Sequence, residues 1–276
     1  MSKGHLTLFI FFIALASAKL TPINKCNVVQ KTMLTCLQAT GEDLPKISQP
    51  IIEWILFSKS NVPIVKKQYL KNFPGLTDFH AEKSGIETVE DDAFQNMASL
   101  NWVDISFNKI KRISPNLFQN CPNMYHFNVS GNTELVIPDN EPFLNAPQLK
   151  WLDLQQSNIE RLSSFTFKNL PGLKYLSLAK NNIKILPDDV FKSLSNLNSL
   201  DLSGNKIRTV SVTVFAHMKP LVLHLAGNPW DCDCNLNPVI QWSKRNLVKD
   251  DAACVKPDTK KWKEVVLTCP KTNTVA

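Results

Sequence analysis

The stretch Leu100-Asn101-Trp102-Val103-Asp104-Ile105-Ser106-Phe107-Asn108-Lys109-Ile110 decides how the rest of the chain is read. Numbered from Leu100, its apolar residues stand at positions 1, 4, 6 and 11, and an Asn stands at 9. The same frame returns at intervals of 24 residues. Leu173, Leu176, Leu178, Asn181 and Ile183 fit it, as do Leu197, Leu200, Leu202, Asn205 and Ile207. With Ser in place of Asn it recurs at Leu149-Leu152-Leu154-Ser157-Ile159 and at Leu76-Phe79-Ala81-Ser84-Ile86. Met124, Phe127, Val129 and Asn132 follow it, with Leu135 arriving one residue late. An eroded copy opens at Ile52, and a shortened last copy runs from Pro220 and Leu221 to Asn228. A second series lies in phase with the first: Phe94, Phe118, Phe143, Phe167, Phe191 and Phe215 each stand six residues before the next start.

A period of this length is the signature of a solenoid. Positions 3 to 7 alternate as a short strand does, so positions 4 and 6 point inward and the phenylalanines form a second buried column. One copy cannot bury its apolar face alone, whereas a stack can. The position-9 Asn falls where the chain leaves the strand, where its amide can serve buried backbone groups of the adjoining turn. About eight turns at ~4.8 Å give a sheet roughly 35 Å long.

These residues resemble the leucine-rich repeat family, in its extracellular class of 24 residues per repeat, and the resemblance covers roughly residues 44–269. It implies an α/β horseshoe: a parallel sheet on the concave side, an irregular or 3-10 convex side, and disulfide-bonded caps. The segment Asn228-Pro229-Trp230-Asp231-Cys232-Asp233-Cys234, with Trp242, Cys254 and Cys269, is similar to the family's C-terminal cysteine cap. That likeness implies the pairs Cys232–Cys254 and Cys234–Cys269. Cys26 and Cys36 resemble a reduced N-terminal cap joined by one bridge, with two cysteines where many relatives have four. Clustered cysteines also suit zinc, but an oxidising destination favours disulfides, so no metal is expected. Each cap bridge is expected to contribute ~2–4 kcal/mol. Cys121 is left over and reads as a buried free thiol, with an intermolecular disulfide as the alternative.

The expected division is a signal peptide at 1–18, an N-terminal cap at 19–51, repeats at 52–227 and the C-terminal cap at 228–276. Lys3, the apolar run Leu6–Leu15 and the small residues Ala16-Ser17-Ala18 have the layout of a cleaved secretory signal, with the cut before Lys19. The apolar run is short for ~30 Å of hydrocarbon. No later stretch reaches ~20 uncharged apolar residues, and the chain ends on the polar Thr272-Asn273-Thr274-Val275-Ala276, so no membrane span is expected and the protein is read as secreted.

No nucleophile elbow, HExxH or phosphate loop is present, and the histidines after the signal (80, 126, 217 and 224) carry no catalytic spacing. Asp104, Asp153 and Asp201 recur at position 5, which the family fills with Asp for surface hydrogen bonding. The chain is therefore read as non-enzymatic, without catalytic residues or cofactor.

A binding role rests on position 3, where successive copies carry Trp54, Asp78, Trp102, His126, Trp151, Tyr175 and Ser199. Positions 2, 3, 5, 7 and 8 are expected to face solvent on the inner side. The aromatics then span about 24 Å and offer rigid contact area to an extracellular protein ligand, with Phe107, Asp78, Asp104, Lys150, Lys174 and Lys180 around them. The competing reading is that adjacent rings stack on each other and stiffen the sheet. The sequon Asn128-Val129-Ser130 puts a glycosylation site at position 5 of the middle copy, where a glycan would obstruct the same surface. Toll-like receptor ectodomains, cut down and freed of membrane parts, are similar in outline, which implies innate-immune recognition or a soluble decoy.

Charge supplies the rival function. Of the net +7, residues 235–276 carry +4, through Lys244, Arg245, Lys249, Lys256, Lys260, Lys261 and Lys263 among others. Lys111, Lys184 and Arg208 form a second set just after position 11. Such a surface can hold glycosaminoglycan, as a matrix component would, or simply be solvated. Nucleic acid is not an expected partner outside a cell.

Overall fold

The computed structural model describes residues 25–47, 49–216, 218, 222–245, 249–250, 252–256 and 260–269. The signal segment, the polar C-terminal end, His217 and the start of the last copy at Pro220-Leu221 lie outside the described residues, as do the side chains of Lys249 and Lys256.

Each turn contributes a short strand to one parallel sheet. Trp54–Ser58, Asp78–His80, Trp102–Asp104, His126–Asn128, Trp151–Asp153, Tyr175–Ser177, Ser199–Asp201 and Val222–His224 lie side by side in chain order. The register equates position 4 throughout: Ile55 with Phe79, Phe79 with Val103, and on to Leu200 with Leu223. These residues and the position-6 residues are buried. The stack is longer than the repeats alone. Met33–Leu37 joins it in parallel, placing Leu34 beside Ile55 and Cys36 beside Phe57, so it acts as a further turn. Lys249–Asp250 pairs with Val222–His224 at the other end.

The Asn at position 9 explains why the turns keep their spacing. Asn108 Oδ1 accepts the N–H groups of Ser84 and Ile86 in the preceding turn, and its Nδ2 donates to the carbonyls of Ala81, Ile105 and Ser106. Asn132, Asn181, Asn205 and Asn228 repeat parts of this scheme. Main-chain groups that would otherwise be buried and orphaned are thereby satisfied. Ser84 and Ser157, which replace Asn, reach only the carbonyl two residues back, at Glu82 and Gln155.

Position 8 turns the chain with a left-handed backbone in every copy: Lys59, Lys83, Phe107, Gly131, Gln156, Lys180, Gly204 and Gly227 all have positive φ. Glycine is free there, and the other residues carry a local cost offset by the stack. Gly131 has a second reason. A Cβ at that position would lie 2.5 Å from the Phe107 ring.

Under the return segments the six phenylalanines are fully buried, and neighbouring rings pack at 5.9–6.0 Å where they touch directly. At the ends the core is sealed differently. Cys26 bonds Cys36 across an antiparallel hairpin. Cys232 bonds Cys254 and Cys234 bonds Cys269, around the helix Asn237–Arg245. Phe215 stacks on Trp242, and Trp230 meets Trp262 at 5.0 Å, which carries the hydrophobic column into the cap.

Candidate inner-face recognition site

The inner face is ruled by a ladder of rings. Trp54 stacks on His80 at 5.7 Å, His80 lies 5.8 Å from Trp102, and Trp102 stacks on His126 at 3.9 Å. His126 stacks on Trp151 at 5.3 Å and Trp151 on Tyr175 at 3.7 Å. The parallel register produces this, because it sets every position 3 beside the next at strand spacing. Both physical readings of the column therefore meet in one object: the rings do pack on each other, and they remain half-buried to exposed, Trp102 at 36%.

Two features of the ladder were not legible from the column of position-3 residues. Asp78 breaks that column and is buried. His80, from position 5 of the same turn, fills the gap diagonally. Its Nε2 is buried without a hydrogen-bond partner among the described residues and lies 3.9 Å from Asp78 Oδ1. Asp78 Oδ2 in turn accepts a 2.6 Å hydrogen bond from the Thr77 hydroxyl. Tyr125, at position 2 and 48% exposed, adds apolar surface beside His126; its signal was only an aromatic at a position that the six full copies around it fill with polar side chains.

The expectation that position 7 faces solvent holds for Ser58 and Glu82, which are exposed, and not for Ser106, Ser130 and Ala179, which are buried where the chain turns toward position 8. Phe107 is 39% exposed. Its ring lies over Gly131 with Lys83 Nζ 4.9 Å from its centroid, so it belongs to the edge of the sheet and not to the ladder.

The position-5 carboxylates behave as turn anchors. Asp104 Oδ1 accepts from the Ser106 N–H and hydroxyl, Asp153 Oδ1 from the Gln155 N–H, and Asp201 Oδ1 from the Ser203 N–H. Asn128 does the same toward Ser130 N–H, while its Nδ2 donates to Asp104 Oδ2 at 3.0 Å. The sequon nitrogen is thus engaged in the sheet, and the Ser130 hydroxyl is buried without a partner among the described residues. Burial pushes the His126 imidazole down to about 4, against the opposing pull of Asp104. Burial also raises Asp153, and the neighbouring carboxylates Asp104 and Asp201 push in the same direction.

The basic surface is less available than its sequence suggests. Lys244 Nζ donates to the Val265 carbonyl at 2.7 Å, so it braces the cap. Lys111 pairs with Glu134 and Arg208 with Asp231. Arg245, Lys260, Lys261 and Lys263 are exposed. Cys121 is buried, its Sγ donating to the Phe94 carbonyl at 2.9 Å, and burial raises its thiol pKa. A partner's cysteine has no path to it in the folded chain. Among the described residues no group of His, Cys, Asp or Glu is placed to hold a metal, and no helix is long and apolar enough to cross a membrane.

A capped parallel solenoid with an open, ring-lined sheet is a scaffold for holding other macromolecules. The model of the leucine rich repeat family matches residues 74–133, 147–206 and 185–229, more than half of the chain, and the protein belongs to that family. Among solved structures it is similar to human 5T4 (Wnt-activated inhibitory factor 1, trophoblast glycoprotein). The TM-score is 0.70 at 19% identity, over 89% of this chain and 98% of that one, a likeness of fold. A search of curated proteins by sequence finds no match. The disulfide-bonded ends fit an oxidising, extracellular setting.

Proposed function

We propose that this is a secreted, non-enzymatic module that recognises an extracellular protein through the inner face of its sheet. The observation that carries the reading is the ladder from Trp54 to Tyr175. Its rings are held rigid by one another, so little side-chain freedom remains to be lost on binding. They stay partly exposed on the inner face of the sheet, and aromatic residues of this type are enriched among those that carry binding energy. The signal-like N-terminus supports release from the cell, and innate-immune recognition or sequestration of a receptor's ligand, in the manner of a soluble decoy, suits a short capped stack.

The test is affinity capture from the native extracellular fluid with the wild type beside Trp102→Ala/Trp151→Ala, at low and moderate salt. A protein retained only by the wild type is the expected result. Retention shared by both and lost with salt would instead support a matrix role, with Arg245, Lys260, Lys261 and Lys263 holding a glycosaminoglycan. That second reading has the weaker footing, since Lys244, Lys111 and Arg208 are already occupied.

A further inference from the structure

Stacking decides which part of each ring a partner can touch. Four of the five ladder contacts are close to parallel, at 13–21°, and the stack runs from strand to strand. His126 and Trp151 have a ring against each face, and Trp102 lies between His126 and the tilted His80. Inside the ladder the exposed part is therefore ring edge, where the aromatic quadrupole places partial positive charge.

The edges also carry donors without acceptors. The indole N–H groups of Trp54, Trp102 and Trp151 bond to none of the described residues, and those of Trp54 and Trp151 are open to solvent. In the core the same group is engaged, with Trp230 Nε1 donating to the Leu225 carbonyl at 3.0 Å. The three indoles stand on every second strand, because the turns between them contribute His80 and His126. Their backbones are thus about 9.6 Å apart along the stack. Two ring-to-ring steps of 3.9 and 5.3 Å separate Trp102 from Trp151. Asp104 and Asp153 flank the row about 7 Å along the strands. Their oxygens are held by Ser106, Asn128 and Gln155, so they border the row without accepting from it.

A ligand that meets this row must present an acceptor on one side at the same interval. An α-helix returns to the same side after seven residues, about 10.5 Å, and its carbonyls are consumed internally. A β-strand returns after two residues, about 6.6 Å, or after four, about 13 Å. A polyproline II helix returns every third residue, about 9.3 Å, with its carbonyls unbonded. Proline has no N–H, so a proline-rich segment is rich in acceptors and poor in donors. In charge and in interval that is the complement of the ladder edge.

We propose that the partner's contact segment is a proline-rich polyproline II helix laid across the strands. Every third carbonyl accepts from the indoles of Trp54, Trp102 and Trp151, and proline rings pack on the ring edges between them. The distance of about 24 Å from Trp54 to Tyr175 takes about eight residues of such a helix. Ladder and ligand are both stiff before they meet, so little conformational freedom is lost. This occupant rests on the inner-face reading above and adds the conformation and chemistry that the face selects.

The probe is fluorescein-labelled decaproline, titrated against the intact protein by fluorescence anisotropy beside a Gly-Ser decapeptide and a helical peptide of similar length. Decaproline is expected to bind roughly tenfold more tightly than either control, because it is already in the bound conformation. Its binding should change little with salt, since it offers no charged side chains. Trp102→Phe/Trp151→Phe keeps two ring edges and removes two donors, and should weaken binding about tenfold. Phe165→Ala, which removes an exposed ring outside the sheet, should leave binding unchanged. Thermal unfolding of each variant checks that the fold persists. Equal binding of decaproline and the Gly-Ser peptide, or equal affinity of the wild type and the double Phe variant, overturns the proposal. So does binding of a triple-helical Gly-Pro-Pro peptide without binding of decaproline, which would make a collagen-like rod the occupant. If a captured native partner is lost with Trp102→Ala/Trp151→Ala while decaproline fails to bind, the inner-face reading stands and the polyproline segment does not. If the Ala variant still holds the partner, the inner-face reading fails and the proposal with it.

Discussion

Two aromatic columns run along this solenoid, and they do different work. The phenylalanines from Phe94 to Phe215 are sealed under the return segments, and neighbouring rings that touch directly sit about 6 Å apart. The rings from Trp54 to Tyr175 stand on the open sheet, close to parallel in most steps, down to 3.7 Å. Both arise from the same 24-residue period. What separates them is where in the turn the ring falls: the first column removes apolar area from water, while the second keeps much of it available and holds it still. A column of the first kind should answer to mutation in stability, and one of the second kind in binding.

The largest effect is expected from the buried column. Phe118→Ala should cost about 3–5 kcal/mol, read by denaturant unfolding, because it opens a cavity that the neighbouring turns cannot fill. Asn108→Ala comes next, at about 3 kcal/mol, since it leaves several buried backbone groups of two turns without partners. A loss under 1 kcal/mol would mean that the asparagine ladder is not what spaces the turns.

The third prediction lies within the exposed column. The folded-state pKa of His126 is depressed to about 4, so its neutral form is favoured by folding. The stability this contributes is complete above the ordinary histidine value of about 6.5 and is lost as pH falls toward 4. The melting temperature of wild type should drop by about 5 °C more over that window than that of His126→Gln. Parallel pH profiles for the two proteins would show that the imidazole is not sheltered by Trp102 and Trp151. The smallest effect is expected for Trp151→Ala, about 1–2 kcal/mol from two lost ring contacts, together with complete loss of the captured partner. A stability loss as large as that of Phe118→Ala would erase the distinction between the columns.

The cysteines and the basic residues mark the limit of what pattern could reveal. Cys121 reads as a leftover thiol, and its burial against the Phe94 carbonyl follows from its place three residues after a column phenylalanine. Lys244 reads as one of a patch of lysines. Nothing in its neighbourhood along the chain announces that its amine reaches Val265, 21 residues away. His80 was invisible as a ladder member for the same reason: it belongs to the wrong position of its turn and enters the column only because buried Asp78 leaves the gap.

The sequence by itself determined the period, the inward-facing residues at positions 4 and 6 and the phenylalanine column. These are properties of single turns repeated, and a repeat in the chain becomes a repeat in space once neighbours stack. Only the tertiary structure decided which rings touch and which serines at position 7 are buried. Those depend on the lateral offset between adjacent turns, a few ångströms that no one turn encodes.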